Sequence, residues 1–200
     1  MIINFLIIIQ GNKMISNKEE LHEYLQYEKE RYGSHTSFIY YLLGSEKAII
    51  WSYQKRLRKT EYYNNTNKKI RCAFSKIILH KKQNQYGLNI SVNVFEKGLK
   101  IMHLGSVLTN SKVRVGKNCT VHINTALVAR GTNAGVPILG DNIVIGVGAT
   151  ILGDIRLANG IAIGANSLVN KSFEEQNIAI AGCPAKKISN NGDSTWHKKI

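Results

Sequence analysis

The 200-residue chain is poor in the residues that mark disulfide scaffolds, metal centres and secretory leaders. It has three cysteines, Cys72, Cys119 and Cys183, whose spacing fits neither a disulfide framework nor a zinc site. The apolar run over residues 1–9 is too short to cross a bilayer and lacks the basic start and cleavage site of a secretory signal. We therefore expect a reduced, cytoplasmic protein without a metal. Whether translation starts at Met1 or at Met14, which would remove this run, stays open.

Acidic residues are scarce as well, since 27 Lys and Arg stand against 13 Asp and Glu, a net charge of +14. Fifteen of these cations and only seven acids precede residue 88. Such an excess attracts polyanions, which include nucleic acid, an anionic glycan and an anionic membrane surface, although solvated surface charge explains it equally well. No nucleic-acid recognition module accompanies the charge. We expect no nucleic-acid partner, and a peripheral position on the inner membrane face stays open.

From about residue 98 to residue 170 an aliphatic side chain recurs at every sixth position. A period of six fits neither the 3.6 of an α-helix nor the alternation of a flat strand. It fits a coil with three flat sides of six residues each, and Gly148, Gly153 and Gly160 are candidates for its tight corners. A β-sandwich would not keep this six-residue spacing without interruption from residue 139 to residue 169. The column consists of Val115, Val121, Leu127, Leu139, Ile145, Ile151, Leu157, Ile163 and Val169, with an irregular turn at Asn133. A second column lies two residues before it and includes Gly131 and Cys119, which we expect to face the interior.

The region before the repeat is predicted to be helical. Asn17 followed by two acids, and Gly33 after a basic residue, predict a helix over residues 17–31. A second helix begins at Ser34 or Ser37 and is interrupted by Gly44. Aromatic and basic residues interleave over residues 51–80, around a turn at 64–67, and we expect the aromatic rings to pack inward beneath the long cations.

Residues 86–189 resemble the hexapeptide-repeat acyltransferases, from Gly98-Leu-Lys-Ile-Met-His103 through the repeat to the closing Gly182-Cys-Pro-Ala-Lys186. They are most similar to the serine acetyltransferase-like branch, which includes enzymes that acetylate surface polysaccharides. The resemblance implies a mainly β fold, a left-handed parallel β-helix with an N-terminal α-helical unit. It also implies a homotrimer that uses acetyl-CoA as co-substrate. We expect the helical unit over 1–85, the acyltransferase domain over 86–189 and a flexible tail over 190–200.

His103 is the candidate catalytic residue. Counting back from Val115 in steps of six reaches Thr109 and then His103, so an imidazole stands where the column asks for an aliphatic side chain, and it coincides with the family's motif. A neutral imidazole can take the proton of an alcohol that attacks a thioester. We therefore expect an acyl-CoA-dependent O-acetyltransferase that transfers the acetyl group directly. Backbone N–H groups of Gly131 and Thr132 are the candidates for stabilising the oxyanion.

The resemblance places acyl-CoA in a cleft between two adjacent solenoids. Small side chains at the matching positions let the pantetheine arm approach the backbone, although coil packing alone would favour them equally. A lysine pair near the end of the repeat is placed to meet the CoA phosphates, or is simply solvated. The cofactor-binding candidates are Gly131, Thr132, Val147, Ala165, Lys186 and Lys187.

Two positions depart from the family's pattern. Serine acetyltransferases carry an acid where this chain has Met102, and a second histidine where it has Val136. Because both features serve the amino-acid acceptor, we expect a carbohydrate acceptor, a sugar hydroxyl of a bacterial capsule or surface polysaccharide or of its precursor. Serine O-acetylation in cysteine synthesis is one alternative, and a non-catalytic β-helix scaffold is another. The residue that orients His103 stays open among Glu96, Asn93 and Asn110.

Overall fold

A computed structural model describes residues 14–132 and 135–192. The predictions for residues 1–13, for Asn133 and for the tail beyond residue 192 lie outside the described residues. Within these ranges four helices precede fourteen short strands. The helices are α1 (Lys18–Tyr32), α2 (Phe38–Leu42), α3 (Glu46–Asn65) and α4 (Lys69–Tyr86). The strands are β1 (Leu88–Asn89), β2 (Lys100–Ile101), β3 (Val107–Thr109), β4 (Arg114–Val115), β5 (Thr120–Val121), β6 (Thr125–Val128), β7 (Ile138–Leu139), β8 (Val144–Ile145), β9 (Thr150–Leu152), β10 (Arg156–Leu157), β11 (Ala162–Ile163), β12 (Leu168–Val169), β13 (Ala179–Gly182) and β14 (Ala185–Ser189).

Successive strands join three sheets in turn, so the chain winds as a three-sided coil. Sheet A has the order β1-β3-β6-β9-β12, sheet B has β4-β7-β10, and sheet C has β2-β5-β8-β11-β13-β14. The pairings are parallel except for β13 with β14, an antiparallel hairpin that ends sheet C. The prediction of a parallel β-helix behind a helical unit is confirmed, and its left hand stays a prediction.

The aliphatic column fills the interior of the coil, as its period predicts. From Val115 to Val169 its members are at most 3% exposed. Paired residues Val107 and Thr125 lie eighteen positions apart, which is one coil of three six-residue sides. Ala126 and Thr150, by contrast, pair across twenty-four positions. One coil therefore carries six additional residues, which leave it as a loop between β6 and β7.

A second irregularity displaces His103 from the interior. Ile101 pairs with Val121 across twenty positions instead of eighteen, so the corner between β2 and β3 is two residues longer than its equivalents. Ile101, only 1% exposed, fills the interior position, and 55% of the His103 side chain is exposed. The inference that His103 replaces an interior aliphatic residue is thus wrong. The imidazole lies on the outside of the coil, where a substrate can reach it.

Asparagine makes the corners together with glycine. Gly148, Gly153 and Gly160, the predicted corner glycines, have positive φ angles, and so does Asn166. Asparagine tolerates this left-handed conformation because its short amide bonds locally. Asn118, Asn124, Asn142 and Asn177 share the conformation.

The helical unit closes the first end of the coil through a buried ion network. Arg58 of α3, fully buried, contacts the carboxylates of Glu28 at 2.6 Å and Glu61 at 2.8 Å, and donates to the carbonyl oxygen of Phe95 at 2.8 Å. Burial disfavours its charge, but the two carboxylates outweigh this effect and raise the pKa of Arg58. The helices and the coil also share one apolar core. The division of the chain into separate domains over residues 1–85 and 86–189 therefore stays a prediction.

The inward packing predicted for the aromatic and basic region holds on α3 and fails on α4. Trp51 and Tyr53 of α3 are at most 3% exposed. On α4, by contrast, Ile70, Phe74 and Ile77 are 87%, 65% and 56% exposed. None of the described helices has the length and apolar character needed to cross a membrane.

Candidate functional site

His103 is held by a carboxylate from the helical unit. Its Nδ1 lies 3.2 Å from Oε2 of Glu46, whose Oε1 accepts the backbone N–H of Leu104 at 2.8 Å. Because a carboxylate accepts hydrogen bonds, it favours the tautomer with the proton on Nδ1, which leaves Nε2 as the basic nitrogen. The pair thus fixes both the tautomer and the direction of the imidazole.

Glu46 is placed by the start of α3. Ser45 precedes it in a non-helical conformation, and Glu46 is the acidic residue of the first turn. A carboxylate is favoured there by the positive end of the helix dipole. The packing of α3 on the first coil brings this turn to the long corner after β2. The helical unit therefore supplies part of the site as well as closing the coil.

A second imidazole lies beside the first. The ring centroids of His103 and His122 are 6.5 Å apart, and His122 follows β5 in the next coil. Burial lowers the pKa of His122, and the nearby His103 lowers it further. His122 is accordingly neutral at physiological pH, with one donor and one acceptor nitrogen in its ring beside His103.

The structure aligns two of the predicted CoA-binding residues with His103. Ile101, Ile145 and Ile163 are equivalent in the strands of sheet C. His103, Val147 and Ala165 each lie two residues after these equivalent positions, along one edge of the coil. Strands in a sheet are spaced by about 4.8 Å, so Val147 lies roughly 10 Å along this edge from His103. Ile123 occupies the coil between them.

Glycine precedes both Val147 and Ala165, and the coils pack closely at these two positions. A Cβ atom on Gly146 would lie 2.8 Å from the backbone nitrogen of Ala165, and one on Gly164 would lie 2.8 Å from Cβ of Ala181. Val147 and Ala165 are themselves exposed. The two glycines therefore let successive coils stack closely, and the exposed side chains of Val147 and Ala165 form the surface of this edge.

The predicted phosphate-binding lysines lie at the far end of the same sheet. Lys186 pairs with Ala181 of β13 and Lys187 pairs with Ile180, so both belong to the last hairpin. Both are exposed, and Lys187 also forms an ion pair with Glu175 at 2.5 Å. Five strand spacings separate β2 from β14, which places a positive charge roughly 24 Å from His103 along sheet C.

The two predicted oxyanion donors lie elsewhere. Gly131 and Thr132 are exposed in the additional loop between β6 of sheet A and β7 of sheet B. His103 lies at the corner between sheet C and sheet A. Two different corners of one coil cannot converge on one substrate, so a single chain does not bring these residues to His103.

The orienting residue was missed by sequence reasoning. Of the candidates considered, Asn93 bonds with Asn65 and the Asn110 side chain accepts from Lys112. Glu46 is 57 positions from His103, in a different element, and no local spacing connects the two. In a sequence, an acid at the position of Glu46 indicates only that a helix begins there.

Comparison with known proteins identifies the architecture. No family model matches the chain. It is 30% identical over 108 residues to a serine acetyltransferase of Buchnera aphidicola, covering 51% of this chain and 41% of that protein. It is 32% identical over 98 residues to that of Staphylococcus aureus, covering 48% and 46%. The match thus spans less than half the length of these curated relatives.

Solved structures extend the likeness through the helical unit. The serine acetyltransferase of Brucella abortus strain S19 superimposes with a TM-score of 0.66 and 21% identity, over 87% of this chain and 69% of that one. The chain has the fold of the serine acetyltransferases. The soybean enzyme complexed with serine gives a TM-score of 0.63 at 22% identity, over 85% and 68%. The Brucella enzyme in complex with coenzyme A gives 0.61 at 24%, over 87% and 68%.

These likenesses correct the predicted acceptor. The relatives and the structures named above are serine acetyltransferases, and none is named for a polysaccharide. The prediction of a sugar hydroxyl in a capsule or surface polysaccharide is therefore wrong. The departures at Met102 and Val136 were given too much weight as evidence against serine. Serine, ranked second, is the acceptor that the likenesses favour.

Proposed function

We propose that the chain is an acetyl-CoA-dependent serine O-acetyltransferase with His103 as the general base. The observation that carries the proposal is the exposed imidazole of His103, fixed through Nδ1 by Glu46 on the edge of the coil that also carries Val147 and Ala165. The similarity to serine acetyltransferases supports the acceptor and the co-substrate. No metal takes part in this chemistry.

His103 moves one proton twice. Its Nε2 takes the proton of the serine hydroxyl as the hydroxyl oxygen attacks the acetyl carbonyl carbon. The carbon–sulfur bond of the thioester then breaks, and the departing thiolate receives the same proton from Nε2. Glu46 stabilises the imidazolium that exists between the two transfers. The products are O-acetylserine and coenzyme A, and no covalent enzyme intermediate is needed.

The edge after sheet C suits the extended arm of acetyl-CoA. The thioester would lie at His103, with the pantetheine arm passing the exposed side chains of Val147 and Ala165. Lys186 and Lys187 at the far end would meet the phosphates, as charged donors do for anions.

A homotrimer of left-handed coils would complete this site. Gly131 and Thr132 lie at a different corner from His103, so the loop that carries them can reach an imidazole only on a neighbouring subunit. The flat sheets of a three-sided coil offer surfaces for such packing. The backbone N–H groups of that loop would then stabilise the oxyanion of the tetrahedral intermediate.

The charges around the site suit an acceptor with a carboxylate. Lys100 on β2 is half-buried, and burial lowers its pKa, which the positive charges of Arg31 and Lys47 lower further. Cations that repel one another in this way attract a shared anion. Lys47 directly follows Glu46 and Lys100 lies three residues before His103, so the α-carboxylate of serine would be attracted to this region more strongly than a neutral alcohol.

The test is release of the coenzyme A thiol from acetyl-CoA with L-serine, L-threonine, ethanolamine and a neutral sugar as acceptors, with the product identified by mass spectrometry. We expect serine to be preferred, and ethanolamine, which lacks the carboxylate, to be at least about tenfold poorer. Transfer to another alcohol but not to serine would overturn the acceptor. Absence of thiol release with every acceptor would favour a non-catalytic scaffold.

A further inference from the structure

Helix α4 exposes an apolar stripe to solvent. Ile70, Phe74 and Ile77 recur at helical spacing and are 87%, 65% and 56% exposed, whereas Cys72, Ser75 and Leu79 on the opposite face are buried. Burying large apolar side chains is favourable, so three of them exposed on one helix face form an interaction surface rather than scattered surface residues.

The stripe is flanked by cations with no acid nearby in sequence. Between Glu61 and Glu96 the chain has no Asp or Glu, and α4 with its preceding residue carries Lys68, Lys69, Arg71, Lys76, Lys81 and Lys82. Among the described residues no acid forms an ion pair with any of these six cations. A helix with an apolar face and an uncompensated basic border is typical of helices that lie on anionic membranes.

A groove next to the stripe collects further donors. It has a volume of about 320 Å³ and lies between the end of α3 and the first half of α4. Lys69 and Lys76 line it together with the amides of Asn64 and Asn67, and Lys76 donates to Oδ1 of Asn64 at 3.2 Å. Two ammonium groups and two side-chain amides provide the donors that a phosphate group prefers.

We propose that the outer face of α4 is a docking surface for an anionic phospholipid bilayer. Ile70, Phe74 and Ile77 enter the boundary between headgroups and acyl chains, and Lys69 and Lys76 hold a lipid phosphate in the adjacent groove. Lys68, Arg71 and Lys81 add long-range attraction to the negative surface. This inference concerns a surface away from His103 and does not depend on the identity of the acceptor.

Charge complementarity favours a bilayer over other occupants of the surface. A second copy of the same face would bring two clusters of unpaired cations together, which costs free energy. An apolar segment of this chain, such as residues 1–9, would cover the stripe and leave the cations unused. An anionic bilayer satisfies the apolar stripe and the cations together.

The experiment is flotation of the full-length protein with phosphatidylcholine vesicles, with and without about one-third phosphatidylglycerol. We expect binding only to the anionic vesicles, and weaker binding as salt rises from about 0.1 M to about 0.5 M. Changing Ile70, Phe74 and Ile77 together to Ser lowers binding at least about tenfold. Lys69→Gln with Lys76→Gln lowers it about fivefold for each cation removed.

Matched controls separate this face from general adhesion. Ile39, Leu42 and Leu43 around α2 are 61%, 65% and 74% exposed, and no Lys or Arg lies between Arg31 and Lys47. Changing these three to Ser leaves vesicle binding unchanged, and so does Phe5→Ser with Ile7→Ser in the N-terminal run. Serine acetylation in vesicle-free solution stays at the wild-type rate in the α4 variants.

Four results would overturn the proposal. They are no binding of the wild type to anionic vesicles, unchanged binding in the α4 variants, an equal loss in either control, and a smaller assembly for the α4 Ser variant by light scattering. The last would show that a second copy covers the stripe. A failure of serine acetylation with vesicle binding intact would count against the proposed function alone.

Discussion

The carboxylate of Glu46 contacts two successive residues of the corner after β2, the ring Nδ1 of His103 at 3.2 Å and the backbone N–H of Leu104 at 2.8 Å. One oxygen sets the direction of the imidazole and the other fixes the main chain that carries it. Since the corner is two residues longer than its equivalents, it needs such an anchor to hold one conformation. The helical unit and the coil are therefore coupled at His103.

Glu46→Gln removes the charge and leaves one oxygen to serve two donors. We expect kcat for serine to fall by about tenfold or more while KM for acetyl-CoA stays within about twofold, because the imidazole is misdirected but the edge after sheet C is intact. Steady-state kinetics of thiol release measure both constants. Glu19→Gln, at an exposed acid in the first turn of α1, should change neither. An equal fall in the two variants, or a lower urea midpoint for Glu46→Gln, would show a structural role instead.

Arg58 neutralises two buried carboxylates at the junction of the helices and the coil. Arg58→Met leaves Glu28 and Glu61 buried without a cation, and we expect it to lower the free energy of unfolding by about 3–5 kcal/mol. Urea titration at fixed protein concentration measures the loss. Lys97→Met breaks the half-exposed pair with Glu23 and should cost less than about 1 kcal/mol. Similar costs for the two variants would mean that the buried network contributes little.

The buried thiol of Cys119 lowers the free energy of unfolding at alkaline pH. Burial, opposed by Arg31, raises the pKa of Cys119 from 9.0 to about 12. As pH rises, the thiol therefore loses its proton in the unfolded chain before it does so in the folded protein. The contribution of Cys119 to the free energy of unfolding is complete below pH 9 and is lost as pH rises from 9 towards 12. The loss reaches about 1.4 kcal/mol at pH 10. In Cys119→Val the decrease in unfolding free energy between pH 8 and pH 10 should be smaller by this amount, and an unchanged decrease would contradict it.

Much of the fold could be predicted from the sequence because its signals are local and repeated. The six-residue column identified the three-sided coil, since each of its members meets the same interior. Asn17 and Gly33 likewise predicted α1, whose observed caps they are. Cys119 was predicted to face the interior, and it is fully buried.

The departures arise where the repeat is broken or where contacts are distant. Counting in steps of six assumes that every side of the coil has the same length. It placed His103 inside the coil, although the corner after β2 is two residues longer than its equivalents. It also counted Gly131 as a member of the second column, although that coil has six additional residues. Glu46 could not be inferred, because its contact with His103 depends on how α3 packs. The exposed stripe of α4 was missed because helical periodicity shows that a face is apolar without showing what covers it.

The central claim is that His103 is the general base for acetyl transfer to serine, and the most direct measurement compares wild type with His103→Asn. Asparagine cannot accept the proton, but it leaves Val147, Ala165 and the lysine pair in place. We expect kcat for serine to fall by about 100- to 10,000-fold, with coenzyme A affinity and assembly size unchanged. His22→Asn, at an exposed histidine of α1, should match wild type. Retention by His103→Asn of more than about a tenth of the wild-type rate would contradict the account.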